Sequence, residues 1–152
     1  MAITTAMCNT FKRDILKGLH DLTSDTIKIA LIDATHTGTY NASTTAYATI
    51  TSNSDEISNT GSGGNAYSAG GVTLDNGTVS LDSGTAICDF DDETITNATI
   101  SADGALIYNT TIASSDDAIA VLDFSGTKTS TNGDFAIQFP AAAAATAVIR
   151  IA

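Results

Sequence analysis

Val72-Thr73-Leu74-Asp75-Asn76-Gly77-Thr78-Val79-Ser80-Leu81 is the stretch on which the fold turns. Two short runs of Val, Leu and Thr flank Asp75-Asn76-Gly77. An Asn-Gly pair tolerates the two positive φ angles of a type I′ turn, whose twist matches that of an antiparallel hairpin. The stretch therefore reads as a β-hairpin with residues 72–74 and 78–81 as its arms.

Outward from this hairpin the same pattern of short apolar runs and turn residues recurs. Upstream, Ile27-Lys28-Ile29-Ala30-Leu31-Ile32 is a β-branched run closed by Asp33 and reads as a buried strand. Residues 44–50 read as a strand or a short helical turn, and 52–65, rich in Ser, Asn and Gly, as a surface loop. Downstream, 86–90, 94–100, 105–108 and 118–124 are strand candidates. Asn132-Gly133 supplies a second turn signal before 134–139, where Phe135, Ile137 and Phe139 share a face and Pro140 stops the strand. Residues 141–145 read as a bend or helical turn, and 147–151 as a last strand.

Residues 4–20 break the period-two texture. Met7, Phe11, Ile15 and Leu19 recur four apart, Cys8 and Leu16 widen the stripe, and Lys12, Arg13, Asp14 and Lys17 take the other face. Thr4 or Thr5 is the expected N-cap and Gly18 the terminator. The expected fold class is mainly β: a single β-sandwich or barrel-like domain with an N-terminal amphipathic α-helix. Residues 1–25 form its helical segment and 26–152 its β-rich body, together one structural domain.

Composition narrows the function classes. Six cations against seventeen anions give a formal charge of −11, a surface that repels phosphate backbones, so no nucleic-acid partner is expected. Three of the six cations, Lys12, Arg13 and Lys17, fall in one N-terminal segment, which fits either a docking face for an acidic partner or a solvated helix face. The opening MAITTAMCNT lacks the charged region and apolar run of a signal peptide, and no apolar stretch reaches the length of a membrane span. Cys8 and Cys88 are too few for a disulfide framework and read as reduced, buried hydrophobes, with a Cys8–Cys88 or intersubunit bridge as the alternative.

Catalytic patterns are absent from the residues. His20 and His36 each lie at an element end or in a loop, and no G-x-S-x-G elbow surrounds any serine. The acidic run Asp89-Phe90-Asp91-Asp92-Glu93 is the best cation candidate, but in an extended segment alternate side chains face opposite ways, and the run lacks the glycine and spacing of an EF-hand loop. Gly61, Gly63 and Gly64 are followed by no lysine and sit in no βα unit, so they are no phosphate loop. The reading is a non-enzymatic structural protein with no cofactor and no metal.

Four stretches carry a family likeness: Cys8-Asn9-Thr10-Phe11 leading to the 27–31 strand; EISNTGSGGNAYSAGGVTL at 56–74; ATISADGALIYN at 98–109; and AVLDFSGTKTSTNGDFAIQFP at 120–140. In these the chain resembles small virion structural proteins of tailed bacteriophages, especially those of marine and freshwater bacteria. The stretches span most of the chain in order, and none is a catalytic signature. The resemblance implies a place in the phage particle and, as partners, the major capsid protein or other virion proteins. The first expectation is a capsid decoration or cement protein, and the second a tail fibre, tail-tip or receptor-binding component. A cellular surface-filament or adhesion subunit is third. A homo-oligomer is expected, a trimer among the options. A part repeated over a lattice needs only modest contacts per copy. The contact is expected in residues 1–25 or the 52–71 loop, through Met7, Phe11, Lys12, Arg13, Ile15, Lys17, Leu19 and Tyr67.

Overall fold

The computed structural model describes residues 1–112 and 116–152. In chain order the elements are β1 (Ala6–Met7), α1 (Asn9–Ile15), β2 (Ile27–Asp33), α2 (Ala48–Thr51), β3 (Val72–Thr73), β4 (Thr78–Asp82), β5 (Thr85–Asp89), β6 (Glu93–Asn109), β7 (Asp117–Ile137) and β8 (Ile149–Ile151). The protein is mainly β, with two antiparallel sheets: a five-stranded sheet ordered β1-β7-β6-β2-β3 and a three-stranded sheet ordered β4-β5-β8.

The centre of the large sheet explains the uninterrupted apolar runs. Ile29, Ala30, Leu31 and Ile32 of β2, Ala105, Leu106 and Ile107 of β6, and Ala118, Ile119 and Val121 of β7 are all buried, so these strands are covered on both faces and need no polar alternation. Each such Ile or Leu contributes about 1.5–3 kcal/mol by leaving water. The first half of β6 alternates instead, burying Ile95, Ala98, Ile100 and Ala102. One hydrophobic cluster joins these residues to Cys88 and Ile149 of the small sheet.

The expected hairpin at Asn76-Gly77 does not form. β3 pairs with β2 in the large sheet, whereas β4 turns forward to pair with β5 in the small one. Asn76 has φ 53, but Gly77 serves close approach: a Cβ there would lie 2.2 Å from the Leu22 carbonyl oxygen. The two-residue turn of positive φ falls instead at Ser83-Gly84, with φ 49 and 86, joining β4 to β5. Likewise Asn132-Gly133 lies inside β7, where Gly133 opposes Ala98, so the expected strands at 118–124 and 134–139 are largely one bulged strand.

The N-terminal helix is also shorter than the 4–20 stripe implies. Ala6 and Met7 pair with Val121 and Ala120, and the Cys8 amide donates to the Ile119 carbonyl at 2.8 Å, so the chain is strand up to the helix. Cys8 is the N-cap and makes no side-chain cap bond. Thr5 is no cap; its hydroxyl accepts from the Asp123 amide at 2.9 Å. Gly18, with φ 69, follows the last helical turn as expected.

Two carboxylates, Asp55 buried and Glu56 half-buried, hold the long 34–70 connection against the sheet. Asp55 accepts from the Thr37 amide at 2.8 Å, the Gly38 amide at 2.7 Å and the Tyr40 hydroxyl. Burial pushes its carboxyl up, but the Tyr40, Thr37 and Gly38 hydrogen bonds outweigh it and hold Asp55 below the usual carboxylate range. Glu56 accepts from the Tyr47 hydroxyl, from Tyr67 Oη at 2.9 Å and from the Gly70 amide at 2.8 Å. Tyr47 stacks on Tyr108 with ring centroids 4.6 Å apart. All four tyrosines of the chain thus serve the interior, and burial, as the largest cause, raises each phenol.

Candidate functional site

Two constellations deserve chemical testing: the residues around His20, and the surface on either side of the groove that His20 lines. The first is assembled from three elements. α1 brings Asp14, the segment after it brings His20, and β7 brings Asp117, with one ligand-type atom of each lying within 4.8 Å of the others. Among the described residues this is the grouping of His, Cys, Asp and Glu with metal-binding geometry.

The hydrogen bonding decides against a metal here. Asn109 accepts from the Thr111 amide at 2.8 Å and donates to Asp25 Oδ2 at 2.6 Å, which fixes which end of its amide is nitrogen. The same nitrogen lies 3.1 Å from His20 Nδ1, so Nδ1 accepts and the neutral ring carries its proton on Nε2. A metal on Nε2 would require a proton on Nδ1, aimed at an NH₂ donor. Asp14 is committed too: Arg13 Nε reaches Oδ1 at 2.7 Å, and Lys17 Nζ lies 3.3 Å from the same oxygen. The Arg13 hydrogen bond, with Lys17, pulls the Asp14 carboxyl down to about 2. Burial lowers His20, against the pull of Asp117, Asp14 and Asp25, and its ring packs edge-on to Phe11 at 4.9 Å. The cluster is a polar anchor fastening the N-terminal segment to β6 and β7.

Nucleophilic chemistry finds no better footing. Among the described residues neither His20 nor His36 hydrogen-bonds a hydroxyl or thiol; His36 Nδ1 faces the Asp33 carbonyl at 3.1 Å and Asp103 at 3.8 Å. Cys8 and Cys88 are free and buried, and burial pushes both thiols up to about 12. The acidic run disperses its side chains: Phe90 is buried, Asp91 accepts from Asn76 Nδ2 at 2.5 Å, and Asp92 accepts from the Phe139 amide at 2.8 Å.

The second constellation is a groove of about 510 Å³ between the segment after α1 and the small sheet. Ile15, His20, Val79, Ala86, Ile149 and Ile151 line it. Exposed apolar side chains collect at this end of the molecule. Val79 and Ile151 line the groove, Leu81 pairs with lining residue Ala86, and Leu16 and Leu19 are chain neighbours of Ile15, Gly18 and His20, which line it as well. Met1 is the other large apolar side chain left exposed among the described residues.

The predicted interface residues divide on this geometry. Lys12, Arg13, Lys17 and Leu19 are exposed and remain able to meet a partner. Phe11 and Tyr67 are corrections: Phe11 is 0% exposed in the core, and Tyr67 is sealed with its hydroxyl on Glu56 and on the Leu31 amide at 2.8 Å. Met7 and Ile15 are half-buried and pack against the core. Leu16, Val79, Leu81 and Ile151 were missed. For Leu16 the helical stripe pointed inward, and for β4 the alternation of Val79 and Leu81 has the same signature as a half-buried strand.

No helix among the described residues is long and apolar enough to cross a membrane. Compared with known proteins, the chain matches no family model, no curated protein and no solved structure.

Proposed function

We propose that this chain is a structural protein of a tailed-bacteriophage virion, a capsid decoration or cement protein that docks on the head lattice. Its two sheets act as the layers of a sandwich-like brick. The observation that carries the reading is the division of its surface. Outside residues 1–25 the chain carries fourteen acidic and three basic residues, while Lys12, Arg13 and Lys17 stand exposed beside Leu16 and Leu19. An acidic body keeps free copies apart, and a small basic and apolar face gives each copy one modest contact that the lattice repeats.

The interior use of aromatic side chains supports head decoration over receptor binding. Tyr40, Tyr67, Tyr108, Phe11, Phe90 and Phe135 are buried, leaving Tyr47, Phe124 and Phe139 half-buried. A sugar-stacking site would need such rings in the open.

Deleting residues 1–20 is a poor test, because it removes β1 and Phe11 from the core. The clean experiment combines Lys12→Glu with Leu16→Ser and Leu19→Ser, exposed positions that spare the pairing of Arg13 and Lys17 with Asp14, in purified protein and measures binding to particles stripped of it. Loss of binding with an unchanged circular dichroism spectrum is the expected result; undiminished binding refutes the contact face. Gold label on the C-terminus, seen over the head by electron microscopy, is expected. Label confined to the tail moves the protein to the tail-associated class.

A further inference from the structure

We infer that β4 is a pairing edge for a second copy of this chain, giving a twofold dimer in which the small sheets join into one through β4 and its symmetry mate. This inference stands apart from the virion reading, since it concerns self-association alone.

β4 is the outer strand of the small sheet, Thr78-Val79-Ser80-Leu81-Asp82, with β5 on one side. Its closing pair Asp82–Thr85 flanks the two-residue turn, and such a pair exchanges both backbone hydrogen bonds. Alternation then turns the backbone groups of Thr78, Ser80 and Asp82 toward β5 and those of Val79 and Leu81 toward the open edge. The same two residues carry exposed side chains, Val79 at 53% and Leu81 at 74%. Edge strands are commonly blunted by a charge at the centre, a proline or a bulge, and β4 has none of these.

The residue pattern selects the partner. Antiparallel pairing of β4 with another β4 has one register that uses all five residues, centred on Ser80. It sets Val79 opposite Leu81 of the second copy and Leu81 opposite its Val79, so the open N–H and C=O groups find each other and the apolar side chains meet on one face. It also sets Asp82, the strand's one charge, opposite the Thr78 hydroxyl, a neutral donor, and not opposite another carboxylate. For a chain of net charge −11, an uncharged centre with its carboxylates offset is where two copies meet with least repulsion. The face so extended is the one bearing the groove, with Ile151 beside Ala86 continuing the apolar surface.

The test uses the full chain. Light scattering across a concentration series is expected to reach twice the 15.5 kDa chain mass. Leu81→Lys is expected to halve that mass with an unchanged circular dichroism spectrum, since the side chain is exposed. Ser80→Cys places two thiols on the symmetry axis at a non-hydrogen-bonded pair, where Cα atoms lie about 4.5 Å apart, within disulfide range. It is expected to yield a covalent dimer in air that a reductant reverses, whereas Lys128→Cys on β7 does not cross-link. One-chain mass throughout the series overturns the inference. A dimer that survives Leu81→Lys, or that fails to cross-link through Ser80→Cys, overturns this surface and register.

Discussion

Two open strand edges of this molecule, β7 beyond Val121 and β4, are built in opposite ways. Beyond Val121, β7 has β6 on one side and no strand on the other among the described residues. That long edge is guarded: the register slips between Ala102 and Gly104 of β6, Ser125 and Gly126 of β7 swing to φ 55 and 111, and Lys128 follows. Bulges and lysines are the usual devices against strand addition. β4 has a straight five-residue register, no cation, and two exposed aliphatic side chains. The difference teaches that exposure of an edge is not the informative quantity; the absence of guarding is.

Beneath the edges lies a second contrast, between a core clamped by buried polar groups and a small sheet that leaves β4 to solvent. The largest expected effect therefore comes from the clamp. Asp55→Ala leaves the Thr37 and Gly38 amides and the Tyr40 hydroxyl without their acceptor in a buried site. Losing hydrogen bonds to a charged group costs about 3–5 kcal/mol in sum. Urea denaturation is the measurement, and a loss under about 1 kcal/mol would show that the clamp does not hold the 34–70 connection.

A comparable loss separates two residues that the sequence placed on one stripe. Phe11→Ala is expected to cost about 3–5 kcal/mol because the ring is fully buried, whereas Leu19→Ala is expected to stay within about 0.5 kcal/mol. Equal effects would restore the long amphipathic helix.

That stripe shows how far the sequence could be read. The β class, the buried runs at 27–32 and 105–108, and the alternation of Phe135 and Ile137 follow from period and β-branching, which are local properties. The partner of each strand is not local. Asn76-Gly77 carries the strongest short-range hairpin signal in the chain, yet Gly77 is needed for its approach to Leu22, far upstream, and the turn moves to Ser83-Gly84. The helix stops short because residues 6 and 7 gain strand partners in β7. For the surface, the cluster of Lys12, Arg13 and Lys17 was legible as charge; β4 was not, since an apolar alternation reads the same whether its face is covered or bare.

A smaller effect comes from removing a guard. Lys128→Val should change stability by no more than about 0.5 kcal/mol, because the side chain is exposed. It should nevertheless raise the mean mass in light scattering above that of the unaltered chain, by turning part of the β7 edge into a surface like β4. No change at any concentration would mean that the bulge alone protects this edge.

A last expected effect lies at the anchor of the N-terminal segment and is read through pH. Asp14 is held at about 2 by Arg13 and Lys17, below the value of about 3.9 for a free aspartate. A carboxyl depressed on folding stabilises the native state fully above its unfolded value, and that contribution fades as pH falls from about 4 toward 2, where the unfolded and then the folded form take up the proton. Asp14→Asn, which keeps the shape and removes the charge, should therefore unfold at lower urea than the unaltered chain at neutral pH. The gap between their midpoints should narrow as the pH drops through that window. A gap of constant size down to pH 2 would assign the stabilisation to packing around the side chain and not to its pairing with Arg13 and Lys17. Because both cations are more than half exposed, added salt should shrink the neutral-pH gap as well.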